Sequence, residues 1–244
     1  MITRLPALVF ALAPALAAPA AGQVRTVLAS KGGRTGQLLV LENALDMARG
    51  FDRRTLITVD YPDNKERRRF PLLEGGRAAR LVKAGDWELF RALEDRALGK
   101  ALEKAAGNGF SPVTRRRDLR TEGTASFSFS WGGARMEILL VPGQRKTELF
   151  FRKGDDGPER RLARILPESV AGPDGPTDLG ANSLREVALL GDGRVLVAVV
   201  GAWDTEGGRC VGWERLVLLP MKRTADLWGL PHPLEPVDDE WRTP

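Results

Sequence analysis

The chain has 244 residues, enough for one sizeable domain or two small lobes with a buried core, and 43% of them are hydrophobic. Lys and Arg number 37 against 32 Asp and Glu, a formal net charge of +5 that is too mild to imply a polyanion partner by itself. With one histidine and one cysteine the chain cannot build an intramolecular disulfide or a common zinc site, and His232 is left as the sole histidine base for a hydrolytic triad.

Residues 1–20 join one basic residue, Arg4, to an apolar stretch from Leu5 to Leu16 and a small-residue end that offers Ala15-Leu16-Ala17 or Ala18-Pro19-Ala20. This is the pattern of a secretory signal peptide, with cleavage expected ahead of Gln23. A retained anchor needs about 20 continuous apolar residues, whereas Pro6, Pro14 and Pro19 interrupt this segment. No cysteine follows it to take a lipid, and the remainder offers no membrane span. The expectation is a periplasmic or secreted protein.

Val24 to Ser30 and Gln37 to Leu41 are β-prone runs split by Lys31-Gly32-Gly33-Arg34, which predicts a first hairpin. Asn43 as cap and Gly50 as stop predict a short helix through Ala44, Leu45, Met47 and Ala48. Thr55 to Tyr61 and Arg67 to Leu73, joined by a turn at 62–65, read as a second hairpin. Asp86 then opens an amphipathic helix over about 87–106, with Trp87, Phe90, Leu93, Ala97 and Ala101 on one side and a mixed-charge polar face opposite. Gly107-Asn108-Gly109 ends it.

The Arg-rich stretch from Ser111 to Gly123 reads as a linker. From Ala125 to Trp131 residues alternate, with Ser126, Ser128 and Ser130 on one face and Phe127, Phe129 and Trp131 on the inward one. Met136 to Val141 and Thr147 to Arg152 continue a meander, and Pro167 to Asn182, rich in Pro and Gly, reads as an exposed loop. The longest apolar run follows, from Ser183 to Leu219. Gly191-Asp192-Gly193 supplies a hairpin turn between Val187-Leu190 and Val195-Val200. In that second strand both alternating sets, Val195/Val197/Val199 and Leu196/Ala198/Val200, are apolar, which places it centrally in a sheet. Cys210 fits a small apolar position in the next strand. The two halves also share an order of turns: Gly32-Gly33 and Gly132-Gly133 each precede a Leu-Leu-Val, and Glu66-Arg67-Arg68 parallels Glu159-Arg160-Arg161, suggesting two similar meanders.

The chain has no Gly-x-Ser-x-Gly elbow, phosphate loop or dinucleotide fingerprint, so no cofactor and no metal are expected. Carboxylate catalysis needs only two acids at a suitable separation, and Asp155-Asp156 and Asp238-Asp239-Glu240 are the obvious clusters, both in polar turn or tail contexts. Three basic groups stand out: Lys65 with Arg67, Arg68 and Arg69; Arg115, Arg116 and Arg117 with Arg120; Arg160 and Arg161 with Arg164. Brought together they would grip an anionic polymer. Nucleic acid fits less well, because the aromatics lie on apolar strand faces instead of among exposed cations.

The sequence thus predicts a mainly β protein of antiparallel meanders, sandwich-like or two-lobed, with the helix at about 87–106 covering a sheet. Its parts are the signal peptide (1–20), a β-rich body (21–221) that divides, if it has two lobes, into 24–109 and 123–221, and a Pro-rich tail (222–244). The expected role is a non-catalytic envelope or secreted factor binding a protein or polymer. The alternatives are an anionic-polymer binder acting through the Arg groups and a carboxylate-dependent hydrolase.

Overall fold

Three antiparallel sheets lie face to face, and a long helix covers one outer side. The computed structural model describes residues 23–220 apart from 34, 47–50, 62, 121, 132–133, 144–145, 155–158, 173–174, 191–194 and 205–210. The first sheet is the meander β1 (Gln23–Gly32), β2 (Gly36–Asp46), β3 (Phe51–Tyr61) and β4 (Lys65–Pro71), with the short β5 (Ser111–Pro112) beside β1. Helices α1 (Gly75–Ala84) and α2 (Trp87–Gly107) intervene before β5, and β6 (Arg116–Asp118) follows it. A second four-stranded meander runs through β7 (Ser126–Trp131), β8 (Ala134–Pro142), β9 (Thr147–Lys153) and β10 (Arg160–Ile165). The hairpin β11 (Glu168–Gly172) and β12 (Gly175–Leu179) leads to β13 (Ser183–Leu190), β14 (Val195–Asp204) and β15 (Val211–Pro220). These last three and β6 make the third sheet, in the order β15-β14-β13-β6.

This third sheet is the middle layer, for the reason its sequence gives. Val195, Val197 and Val199 pack with Val27, Leu38, Val40, Ile57 and Val59 of the first sheet. Leu196, Ala198 and Val200 pack with Phe129, Met136, Ile138, Leu149 and Phe151 of the second meander. All six β14 residues are at most 1% exposed, so neither face meets water. The first sheet buries its other side against α2 through Ala29, Leu39, Leu56 and Ala105, joined by the half-buried Leu98, Ala101 and Leu102. The two outer meanders share one strand order, β4-β3-β2-β1 and β10-β9-β8-β7, and each has a register shift where its third strand meets its fourth. They sit on opposite faces of the middle sheet, consistent with the similarity in their turns.

Helix α2 starts as its sequence predicts, with the Asp86 side chain accepting the Leu89 N–H at 3.2 Å. It ends where Gly109 takes φ +82°. The Phe127 and Phe129 side chains point into the core, as their alternation requires.

Four segments differ from expectation. Asn43, Ala44 and Leu45 continue β2 instead of opening a helix, because each is paired on the sheet: Ala44 lies between Gln23 and Arg53. Tertiary pairing outweighs a weak local helix signal. Residues 75–84, where no element was predicted, form α1, closed by Gly85 at φ +69° with bonds back to Leu81 and Val82. The supposed linker after Ser111 is part of the body: β6 pairs with β13, and Leu119 is 1% exposed. The supposed loop at 167–182 contains the β11–β12 hairpin, tied down by the Trp213 indole N–H to the Leu179 carbonyl at 2.9 Å and the Thr147 hydroxyl to the Ala181 carbonyl at 2.6 Å. The expected signal segment (1–20), the expected turn at Gly191-Asp192-Gly193, Cys210, Asp155-Asp156, His232 and the tail lie outside the described residues.

Candidate functional site: a basic groove under the long helix

Alternation along β2, β3 and β4 divides their side chains between two surroundings. Leu38, Val40, Ile57 and Val59 face the middle sheet, while Leu39, Leu56 and Thr58 face α2. On β4, Arg68 stands opposite Thr58 and Phe70 opposite Leu56, so both share the helix-facing side. The α2 residues that meet this surface are Ala97, Ala101 and Ala105 at four-residue spacing, with Lys104 and Asn108 at the end. A groove of about 1020 Å³ opens beside this contact. That volume is at the upper end of the ~300–1,000 Å³ usual for small-molecule sites.

The groove has an apolar floor and a cationic rim. Leu39, Leu56, Leu72 and Phe110 lie along it, and Phe70, 48% exposed on the outermost strand, forms one lip. Lys31, Arg67, Arg68 and Lys104 stand around it, and no lining residue is acidic. Arg67 is engaged by Asp60, whose carboxyl it holds below the usual range together with the Gln37 amide, which donates at 3.0 Å. Lys31 has its ammonium 4.7 Å from the centre of the Phe110 ring. Among the described residues Lys31, Arg68 and Lys104 have no carboxylate partner, so three positive charges face one apolar trough. No family model, curated protein or solved structure matches this chain.

The three predicted basic groups lie on three sheets, each on an outermost strand: β4, β6 with the residues flanking it, and β10. The structure divides even the first group. Arg67 and Arg68 line the groove, whereas Arg69 turns to the opposite face and pairs with Glu66 at 2.9 Å and with the buried Glu42. Arg116 donates to the Val27 carbonyl at 3.0 Å, and Arg117 pairs with Glu122 at 2.8 Å. The Arg115 side chain is half-buried and has a partner of its own. Arg161 pairs with Glu148 at 3.2 Å, and the Arg160 side chain lies outside the described residues. Lys31 and Lys104 were not singled out in the sequence. What joins them to Arg68 is the meeting of a hairpin end, a helix end and an edge strand, which no local pattern encodes.

A second cluster of charges is buried between the first and middle sheets. Residues Arg25 and Val27 of β1 direct their backbone groups away from β2, and none of the described strands pairs with them there. Charged side chains do so instead: Glu214 accepts the Arg25 N–H at 2.7 Å, Glu186 accepts the Val27 N–H at 3.2 Å, Arg120 donates to the Arg25 carbonyl, and Arg116 to that of Val27. Arg120 also grips Glu214 with two bonds, of 2.9 and 3.1 Å, and reaches Glu186 at 3.3 Å. Burial opposes the charge on Arg120, yet Glu214, Glu186 and Asp118 together raise its pKa above the ordinary arginine value. Burial pushes the Glu186 carboxyl up, against the pull of Arg120, Arg116 and the Val27 amide. Glu186 and Glu214 are 1–2% exposed and bound on several sides, so they act as backbone caps. No group of His, Cys, Asp and Glu among the described residues could hold a metal ion, and no described helix is long and apolar enough to cross a membrane.

Proposed function

We propose that this chain is an exported, non-catalytic binding protein whose ligand is an anion held in the groove between α2 and the outer face of the first sheet. The observation that carries this reading is the lining itself: three cations with no carboxylate partner among the described residues, over an apolar floor. A cation kept beside apolar surface is less well hydrated than in open solvent, which strengthens its attraction for an entering anion. Export rests on the basic, apolar and small-residue order of residues 1–20. This reading takes up the alternative of an anionic partner, with the contact moved from the scattered Arg groups to Arg67, Arg68, Lys31 and Lys104.

The test uses anilinonaphthalene sulfonate, an aromatic anion whose fluorescence reports an apolar site, against the uncharged parent anilinonaphthalene. The sulfonate should bind more tightly and be released as salt rises. Arg68→Glu with Lys104→Glu should weaken it by about tenfold or more, since a hydrogen bond to a charged group contributes on the order of 1.5–3 kcal/mol. Arg161→Ser, on the far meander, should leave it unchanged. Equal binding of charged and uncharged probes, or insensitivity to the Arg68/Lys104 change, overturns the reading.

A further inference from the structure

We propose that the acidic end of this chain, Asp238-Asp239-Glu240-Trp241, docks on the outer face of the second meander, against three cations gathered around Glu148. The Lys146 ammonium and the guanidinium groups of Arg161 and Arg164 stand 3.0, 3.2 and 3.3 Å from the same Glu148 oxygen. Lys146, with Arg161, holds the Glu148 carboxyl below its usual range, so it is ionised at neutral pH. One carboxylate meets three cations, and no other acid among the described residues pairs with them, which leaves two positive charges at one point. Strand pairing sets Val141, Glu148 and Arg164 in one row across the sheet and Leu139, Phe150 and Arg161 in the next. These rows face away from the core, because Leu140, Leu149 and Phe151 beside them point into it. Val141 is 44% exposed and Leu166, just past β10, 62%. None of Leu139, Val141, Phe150 and Leu166 enters an apolar cluster of the described residues, whereas α2 covers the corresponding face of the first sheet.

The occupant follows from charge, from apolar content and from where the chain leaves the described fold. Residues 234–241 hold four acids and no base, with Leu234, Val237 and Trp241 among them. Adjacent carboxylates match the two uncompensated cations, and each guanidinium can offer its planar fork to one of them. Trp241, next to the acids, brings a large ring to Val141 and Leu166 and can also lie over a guanidinium. The described chain ends at Pro220, five residues beyond Arg215 on β15, and Arg215 is ion-paired with Glu168, four residues beyond Arg164. The path from Pro220 to the cluster is thus roughly 30 Å of backbone and one ion pair, whereas the residues from Pro220 to Asp238 extend to roughly 60 Å. The acidic end therefore reaches β10, the outermost strand of its sheet, with slack. This contact is independent of the anion groove, which lies on the outer face of the other meander.

The experiment treats the full chain, dilute, with a water-soluble carbodiimide, which joins an amine to a touching carboxylate as an amide and takes up the water released. Products are mapped by mass spectrometry. Lys146 should couple to Asp238, Asp239 or Glu240, with its coupling to Glu148 as the internal reference. Arg161→Gln with Arg164→Gln removes two cations without adding a competing carboxylate, and should lower the tail product by about fivefold or more while the Glu148 product persists. Rising salt should lower the tail product in the same way. A melting curve of the variant establishes that it is folded, and a mixture of isotopically labelled and unlabelled chains shows whether the linked residues belong to one molecule. Coupling of Lys146 to Glu148 without the tail, or a tail product unchanged in the arginine variant, overturns the inference. So does a product joining labelled to unlabelled chains, which would make this face a contact between copies. Sulfonate binding in the groove is unaffected by any of these outcomes, so the two proposals stand or fall separately.

Discussion

Glu214 illustrates what a single buried side chain holds together. Its two oxygens take the Arg25 amide at 2.7 Å, the Arg120 guanidinium at 2.9 and 3.1 Å and the Arg185 Nε at 3.3 Å. Removing one member of such a buried set leaves the others desolvated and unpaired, at a cost of about 3–5 kcal/mol. Glu214→Ala should therefore lower the urea midpoint severely, and a loss under about 1 kcal/mol would show that these charges are solvated. Glu186 gives a pH-dependent counterpart. Its carboxyl titrates above the unfolded value of about 4.3 because burial disfavours the charged form. The folded state thus binds this proton more tightly than the unfolded chain does. The stabilising contribution is complete below about pH 4.3 and is lost as pH rises through the folded pKa. The stability of wild type minus that of Glu186→Gln should grow as pH is lowered from about 7 to 5, measured by urea unfolding at each pH. A difference that shrinks over that range contradicts the assignment.

Among the elements, β14 has the least tolerance for a polar residue. Val197 is completely buried in the layer shared with the first sheet, so Val197→Asp should cost several kcal/mol and unfold the protein. Ser128 is half-exposed on β7 with the Arg135 guanidinium 3.4 Å from its hydroxyl, and Ser128→Asp should shift the melting temperature little. Comparable small shifts from both changes would mean that β14 is not central. The place of this strand was legible because an apolar residue at every position has only one explanation at strand length, burial on both sides. The alternation at Phe127 and Phe129 was legible for the same reason of period. Residues 43–45 were misread because their pairing partners, Gln23 and Arg53 among them, are invisible to a local window. The segment 75–84 was passed over because it starts with two glycines, poor helix formers, before its helical run Arg77-Ala78-Ala79-Arg80-Leu81. One sign of the groove was available: strand period separates Arg68 and Phe70 from Arg69, so the arginine run could not form a single patch. The helix spacing of Ala97, Ala101 and Ala105 was equally visible, but a groove beside it depends on what lies across it.

For the molecule as a whole, the layered order implies a gradient of protection. The middle sheet is covered on both sides, the outer meanders bear on it with one face each, and α2 rests on the first sheet through a small apolar cluster and Glu94, which accepts the Arg54 N–H at 3.0 Å. Amide hydrogen exchange should be slowest in β13 and β14, intermediate in β2, β3, β8 and β9, and fastest in α1 and α2. Exchange from the helices as slow as from β14 would show that they belong to the same cooperative unit. Ligand bound in the groove should slow exchange in α2 selectively.

The charged seal on β1 also bears on the order in which the chain can be completed. The groups that close the Arg25 and Val27 edge lie 189 and 159 residues further on. During synthesis the first meander can form its hairpins from neighbours, but this open edge must wait until Glu186 and Glu214 have emerged and been brought back across a long loop. Until then it is a template for any other strand. The N-terminal meander therefore depends on the C-terminal sheet for protection from its own kind, and a chaperone that occupied β1 until the last strand arrived would meet a need built into this topology.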